Sequence, residues 1–129
     1  MAALAVSYAS PGAKLVVCNP NPVGVPRESA TAFGDLLRDS FRSFGYRVPA
    51  DSPVCLDPDA GAKAARETAA EEAVVISVLR LDRRVIVIAT SVDGEGRTLV
   101  TLRTSVPALE DLDPLSTRIA SAITQRIGN

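Results

Sequence analysis

The sequence predicts a single α/β domain with the element order β-α-β-α-β-β-β-α. Runs of β-branched residues alternate with amphipathic helical segments, a hairpin signal follows near Gly94, and no repeat or low-complexity linker divides the chain. With 129 residues, of which 47% are hydrophobic and 22% charged, the chain is long enough to bury its own core. We expect one domain over residues 1–129, with residues 1–13 as a flexible or loosely attached N-terminal segment.

An apolar run and a periodic stripe predict the first strand and the first helix. Residues 14–18 form a short β-branched run that ends in the turn-rich segment 19–22. A helix follows, with Pro26 and Glu28 suited to its first turn and Gly45 to the position just past its end. Its large apolar side chains recur at helical spacing: Phe33, Leu36, Leu37, Phe41 and Phe44. This face is expected to pack on a sheet.

A second strand and a second helix come next. Residues 46–48 follow the first helix at once and are predicted as a strand that two prolines end. Asp57-Pro58 is typical of a helix start, with aspartate at the N-cap and proline at the first helical position. We predict an alanine-rich helix over about residues 58–70. Small residues line its predicted sheet side: Ala62, Ala65 and Ala69.

Three strands fill the middle of the chain. Residues 73–79 are nearly continuously apolar, which predicts a central strand covered on both faces. A reverse turn at residues 81–83 leads to a β-branched strand at residues 84–91. Asp93-Gly94-Glu95-Gly96 is a hairpin signal that leads into residues 97–106. The last two strands are therefore expected to be antiparallel neighbours.

A third helix closes the predicted fold. Asp113-Pro114 repeats the capping pattern of the second helix. An apolar stripe follows, and Gly128 ends it: Leu115, Ile119, Ile123 and Ile127.

Composition excludes several classes of site. The chain has no histidine, so it cannot form a Ser-His-Asp triad, a Cys-His dyad or a histidine-ligated zinc site, and two cysteines cannot supply four thiolates. Helix capping accounts for the carboxylate pairs Asp57/Asp59 and Asp111/Asp113. A net charge of −1 and five aromatic residues (three Phe, two Tyr) are poor material for nucleic-acid binding. We therefore predict no enzyme, no cofactor, no metal and no nucleic-acid partner.

The segment after the first strand is the first candidate binding site, because open α/β sheets bind ligands beyond the carboxyl ends of their strands. It could be a rigid partner-binding loop that caps a shallow crevice, or a solvent-exposed connector. An isolated Gly24 does not make a phosphate-binding fingerprint. The candidate contact residues are Asn19, Asn21, Val23 and Val25.

The later strands offer two more candidates. Arg80, Arg83, Arg84 and Arg103 could form a basic patch for an acidic partner or a phosphate, or simply a solvated face. The last strand, with Thr98, Thr101 and Thr104 among its apolar residues, is predicted at the sheet edge, where it could accept a partner's strand. The alternative is an edge at which the charges of Arg97 and Arg103 prevent pairing with another strand.

Three local motifs, in their order and spacing, resemble the amino-terminal domain of TolB and the related α/β domains of bacterial envelope proteins such as CsgG and FlgO. Phe44-Gly45-Tyr46-Arg47-Val48 is similar to the family's entry into the second strand. Residues 65–78 are similar to the passage from a small-residue helix into the central strand, and residues 92–99 to the family's hairpin. The resemblance runs from about Lys14 to Ile127.

This resemblance implies a three-layer α/β/α domain of the anticodon-binding-domain-like type. The implied sheet is mixed and five-stranded, with strands in the order 2-1-3-4-5 as numbered along the chain and strand 4 antiparallel. The implied function is non-catalytic protein interaction or assembly in the cell envelope, including self-association. The alternative is a small-molecule or nucleotide sensor that uses the crevice at the carboxyl ends of strands 1 and 3.

The two cysteines, Cys18 and Cys55, permit one disulfide in an oxidising compartment or two buried thiols. In the implied sheet order the first two strands are parallel neighbours. Both cysteines then fall at the same end of the sheet, and we expect their Cα atoms within the bridging limit of about 7 Å.

Residues 1–10 are mostly small and apolar, but no basic residue precedes them as a signal peptide requires. No apolar stretch approaches the roughly 20 residues of a membrane span. We expect a periplasmic or envelope-associated protein if a native leader has been removed, and a cytoplasmic one otherwise.

Overall fold

The structure, a computed structural model, describes residues 12–128. Its strands are β1 (Leu15–Val17), β2 (Asn21–Val23), β3 (Glu72–Leu81), β4 (Arg84–Asp93) and β5 (Thr98–Val106). Its helices are α1 (Arg27–Ser43), α2 (Pro58–Glu67) and α3 (Leu112–Thr124), the last preceded by a 3-10 turn at Leu109–Asp111. Of the predicted loose segment, residues 1–11 lie outside the described residues. Gly12 donates a hydrogen bond to Gly45, and the carbonyl of Ala13 accepts one from Arg47.

The strands form one mixed five-stranded sheet, and the predicted α/β class is confirmed. The main path is β1-β3-β4-β5, with β1 parallel to β3 and β4 antiparallel to both of its neighbours. β2 also pairs parallel with β3, farther along that strand than β1 does. Every other strand of the sheet therefore pairs with one of the two long central strands, β3 or β4.

The predicted strand at residues 46–48 is present only as an isolated pairing of Arg47 with Lys14. A second isolated pairing joins Val54 to Asn19 on the same side of β1. The segment therefore lies beside β1 as the implied order requires. Because Pro49 and Pro53 lack the backbone N–H that a ladder needs, it does not continue as a strand. The short strand β2 instead forms within the segment that the sequence predicts as a loop.

Helices cover the two faces of the sheet unequally. α1 and α3 share one face, where they bury the larger core. Its large side chains include Phe33, Leu37, Phe41, Leu115, Ile119 and Ile123. On the other face α2 lays Ala62 and Ala65 against Val75 and Val92. Gly61 makes the closest approach, since a Cβ there would lie 2.5 Å from the Cγ2 atom of Val75.

The observed ends of α2 and α3 agree only in part with those predicted from the sequence. Asp57 caps α2 as predicted, because its carboxylate accepts a hydrogen bond from Ala60 N at 2.8 Å. However, α2 ends at Glu67, and Ala69 is an exposed residue of the following turn. Asp113 lies inside the first turn of α3 rather than at its cap. Ile127 lies past the end of α3 with its side chain 54% exposed, so it does not continue the buried stripe.

Candidate interaction surface

Among the described residues, α2 covers only about half the length of the sheet face on which it packs. α2 has ten residues and is about 15 Å long, whereas the ten-residue strands β3 and β4 each span about 33 Å. The helix reaches only the end of the sheet near Ala73 and Val92. Beyond it lies a surface that we call the open face, whose apolar members are Val23, Leu79, Leu81, Ile86 and Ile88. Val23 is 46% exposed and Leu81 is 63% exposed.

Two of the predicted arginines meet at the border of the open face. Arg84 and Arg103 line one cavity of about 340 Å³, which we call the Arg84 groove, together with Leu81, Ile86, Thr104 and Ser105. Nε and Nη2 of Arg84 both donate to the hydroxyl of Ser105, at 3.2 and 2.9 Å. Arg83 is exposed in the turn between β3 and β4, and Arg80 lies in β3 facing away from the groove. The described residues that line this groove include no carboxylate.

β5 is an edge strand within the described residues, since it pairs only with β4. Its N-terminal half is partly covered, because the chain at Gly128 runs so close to Thr101 that a Cβ there would lie 2.8 Å from the Thr101 carbonyl oxygen. A second cavity, of about 250 Å³, lies beside its C-terminal half. We call it the α3 groove, and it is lined by Leu102, Thr104, Leu115, Arg118, Ile119 and Ala122.

The candidate Arg97 belongs to the hairpin turn. Its Nε atom lies 2.9 Å from Oδ2 of Asp93, and its Nη2 atom lies 3.0 Å from Oε1 of Glu95. Burial opposes ionisation of Asp93, but hydrogen bonds from Arg97 and from the backbone of Glu95 outweigh it and hold the pKa of Asp93 below its ordinary value. The same contacts raise the pKa of Arg97. Its guanidinium therefore fastens the turn.

The segment after β1 divides into anchoring and exposed residues. Nδ2 of Asn19 donates to the carbonyl of Ser52 at 2.6 Å, and Oδ1 of Asn19 accepts from Arg38. Val25 packs against the larger core. Asn21 and Val23 lie in β2, and Val23 belongs to the open face. Of the four predicted contact residues, Val23 is exposed on the open face, Asn19 and Asn21 are half-buried and line the crevice described below, and Val25 packs against the core.

Arg38 is an unusual anchor, because α1 carries its guanidinium into the interior with only 4% of the side chain exposed. Burial lowers its pKa, and the carboxylate of Asp35, 3.3 Å away, opposes that shift. Nε of Arg38 has no hydrogen-bond partner among the described residues. The contact with Asn19 thus ties the segment after β1 to α1.

A crevice lies along this segment, beyond the carboxyl end of β1 and beside β2. It measures about 530 Å³ and is lined by Asn19, Pro20, Asn21, Pro22, Arg27, Thr31 and Val54. Of the described residues that line it, Arg27 alone is charged. The sequence predicts a ligand crevice at the carboxyl ends of β1 and β3; the segment after β1 lines this cavity, whereas no residue of β3 is among its described lining residues.

Cys18 and Cys55 are joined in a disulfide, with their Cα atoms 5.7 Å apart. Both residues are buried, at 0% and 1% exposure, against the alanines of α2. The bridge connects the end of β1 to the segment that leads into α2. Together with the contacts of Asn19, it holds the base of the crevice.

A buried polar cluster, which no sequence motif predicted, lies at the opposite end of the sheet. Glu72 is only 4% exposed, accepts a hydrogen bond from Ser91 and forms an ion pair with Arg126. The hydrogen bond from Arg126 to Glu72 raises the pKa of Arg126, and burial raises the pKa of the neighbouring Tyr46. The sequence does contain one sign of this cluster, because Glu72 is a charged residue at the start of the otherwise apolar strand β3. The cluster holds the end of α3 to the sheet.

The carboxylates of the predicted pairs are engaged near helix starts. Among the described residues, no group of three histidine, cysteine, aspartate or glutamate side chains could hold a metal ion. Asp57 is occupied at the α2 cap, and Asp111 accepts a hydrogen bond from Ala108 N at 3.1 Å. Within the same residues, no helix is both long enough and apolar enough to cross a membrane.

Comparison with known proteins finds likeness in structure but not in sequence. No family model matches the chain, and no curated protein matches it. Among solved structures, TolB from Acinetobacter baumannii superposes with a TM-score of 0.68 at 11% identity, over 93% of this chain and 29% of TolB. The PelC dodecamer from Paraburkholderia phytofirmans gives a TM-score of 0.61 at 14% identity, over 93% of this chain and 91% of PelC.

A third match is the lipoprotein GNA1162 from Neisseria meningitidis, with a TM-score of 0.60 at 16% identity over 88% of this chain and 95% of that one. At these identities the likeness concerns the fold. The resemblance to TolB that the local motifs predict is confirmed at that level. The chain therefore has the α/β fold that TolB, PelC and GNA1162 share.

Proposed function

We propose that this chain is a non-catalytic protein-interaction and assembly domain of a bacterial cell-envelope system. The observation that carries the proposal is the open face. Val23 and Leu81 are exposed and Leu79 beside them is half-buried, so the described residues leave an apolar surface on the sheet, and monomeric proteins rarely expose such surfaces. Within the described residues, the edge of β5 and the Arg84 groove border this surface.

Two further observations support an envelope setting. Disulfides persist in oxidising compartments, and the Cys18–Cys55 bridge is consistent with a periplasmic or envelope-associated protein. The fold is also that of PelC, which was solved as a dodecamer, and of the lipoprotein GNA1162. We therefore propose that one partner of the open face is a second copy of this chain.

Sedimentation velocity of the oxidised protein over a range of concentrations tests this proposal. We expect species larger than the 13.5 kDa monomer. Leu79→Glu places a charge in the centre of the open face and should return the protein to a monomer, since a buried unpaired charge is costly. Leu56→Glu is the matched control, because Leu56 is 71% exposed outside that face. A protein that stays monomeric at all concentrations, or that turns over a substrate robustly, would overturn the proposal.

A second candidate function is small-molecule or nucleotide sensing in the crevice. Its volume of about 530 Å³ lies in the range of about 300–1,000 Å³ typical of ligand sites. Nucleotides and other anionic metabolites should raise the melting temperature of the oxidised protein, and Arg27→Ala should reduce the effect. The absence of a shift across such a panel would exclude this function.

A further inference from the structure

We propose that the tip of the β3–β4 hairpin docks on the surface of a bilayer that contains anionic lipids. The tip is the exposed segment Arg80-Leu81-Asp82-Arg83-Arg84. This inference goes beyond the proposed function, because it needs no second copy of the chain. Protein segments that lie on a membrane without crossing it combine exposed apolar side chains with lysine or arginine residues around them. The hairpin tip has both features.

The hairpin continues beyond the paired ends of its neighbouring strands. The pairing of β3 with β4 runs to Leu81↔Arg84 at the turn. On one side, the pairing of β2 with β3 ends at Val23↔Leu79, and on the other side, that of β5 with β4 ends at Val106. All five residues of the tip are exposed. The tip is therefore an end of the sheet that a flat surface can reach.

Leu81 supplies the apolar contact at the tip. Its side chain is 63% exposed, and Val23, which pairs with β3 two residues earlier, is 46% exposed. Moving a leucine side chain from water into the acyl boundary of a membrane is favourable, because its apolar area leaves water. Lipid chains can close around a side chain that stands at an exposed end. A folded protein partner would instead have to provide a pocket of matching shape.

Arginines flank Leu81 on both faces of the hairpin. Arg80 pairs with Val85, a residue of the larger core, so its side chain leaves the sheet on the side of α1 and α3. Arg84 pairs directly with Leu81 and lies on the open face with it. Arg83 lies in the turn itself. Long arginine side chains can keep their guanidinium groups among lipid headgroups while a neighbouring leucine enters the apolar layer.

The described residues do not neutralise these arginines. None of the three forms an ion pair with a carboxylate of residues 12–128, and Arg84 donates its hydrogen bonds to the neutral hydroxyl of Ser105. Three arginines and one aspartate give the tip a net charge of +2, whereas the whole chain carries −1. Attraction to anionic headgroups is therefore local to the tip, where each arginine adds about fivefold to the binding constant.

Flotation with lipid vesicles tests the proposal on the full oxidised chain. We expect the protein to bind vesicles of phosphatidylcholine mixed with phosphatidylglycerol and not vesicles of phosphatidylcholine alone. Binding should weaken as the salt concentration is raised, because salt screens the attraction between charges near a surface. Equal binding to the two kinds of vesicle, or binding to neither, would overturn the proposal.

Variants of the tip separate its two contributions. Arg80→Glu/Arg83→Glu should weaken vesicle binding by at least about tenfold, because two of the three positive charges become negative. Leu81→Ser should also weaken it, which a contact through charge alone does not predict. Lys63→Glu/Arg118→Glu is the matched control, because it changes the net charge equally at exposed positions of α2 and α3 and should bind like the wild type. If the charge-reversed tip bound as well as this control, the proposal would fail.

An acidic protein is the other kind of partner that a basic tip could fit. If a polyglutamate peptide bound as tightly as the anionic vesicles, and Leu81→Ser lost no vesicle affinity, lipid docking would be overturned in favour of that partner. The flotation result does not depend on sedimentation. A chain that self-associates but does not float with vesicles refutes lipid docking alone, whereas a monomer that floats with them refutes only the assembly of copies.

Discussion

Arg126 donates two hydrogen bonds to the carboxylate of Glu72, from Nη2 to Oε1 at 2.7 Å and from Nη1 to Oε2 at 3.0 Å. The two residues are 54 positions apart in the chain. Arg126 follows α3, and Glu72 is the first residue of the central strand β3. Their contact therefore fixes the last helix to the sheet at the end opposite the candidate interaction surface.

Arg126→Met should lower the free energy of unfolding by about 3 kcal/mol, because it leaves the Glu72 carboxylate buried without its counter-ion. The double variant Glu72→Met/Arg126→Met should recover much of this loss, since no buried charge remains. Arg42→Met is the control. It breaks an exposed pair with Asp39 and should cost less than about 1 kcal/mol. Urea unfolding measures all three, and an Arg126→Met loss as small as the control's would contradict this role.

The disulfide gives a second prediction. It closes a loop with a sequence separation of 37 residues, for which the chain-entropy relation gives about 4 kcal/mol of stabilisation. Cys18→Ala/Cys55→Ala should therefore unfold at a much lower urea concentration than the oxidised protein. Chemically reduced wild-type protein should behave like the double variant. Identical urea midpoints for the oxidised and reduced protein would show that the bridge contributes nothing.

The sequence predicts much of the scaffold and less of the surface. The strong periodic signals, such as the stripe of α1 with Phe33 and Phe41, identify their elements because burying large apolar residues dominates folding. The conformation of residues 46–54 is harder to predict from the sequence, because the pairing of this segment with β1 depends on residues far away in the chain. The open face was missed for a related reason. Isoleucines such as Ile86 and Ile88 are typical of a protein core, and only the length of α2 relative to β3 shows that this helix does not reach them, which leaves both half-buried among the described residues.

Close packing of α2 leads to a third prediction. Gly61→Ala places a Cβ 2.5 Å from Cγ2 of Val75, in a layer with no spare room. The variant should lose about 1–3 kcal/mol of stability from overpacking, although alanine is the better helix former. Gly94→Ala is the matched substitution, because the nearest atom to its added Cβ would be Cγ of Arg66 at 3.6 Å. Thermal unfolding compares the two, and a stabilised Gly61→Ala variant would show that α2 can move away from the sheet.

Acid dependence of the hairpin gives the fourth prediction. Hydrogen bonds from Arg97 and from Glu95 N lower the pKa of Asp93 in the folded protein despite its partial burial. A carboxyl group whose pKa is lower when folded adds stability that is fully present above its unfolded value, about 3.8, and is lost as the pH falls through the folded value. Asp93→Asn should therefore be less stable than the wild type at pH 7. The difference should shrink as the pH falls below about 4.

Urea unfolding at pH 7, 4 and 2.5 measures the effect of Asp93→Asn. Glu71→Gln is the control, because its exposed side chain makes no hydrogen bond or ion pair with the described residues. That control should follow the wild type at every pH. If Asp93→Asn also lost stability in parallel with the wild type down to pH 2.5, the contacts of Arg97 and Glu95 would not depend on the charge of Asp93. In that case the hairpin would be held by its backbone pairing alone.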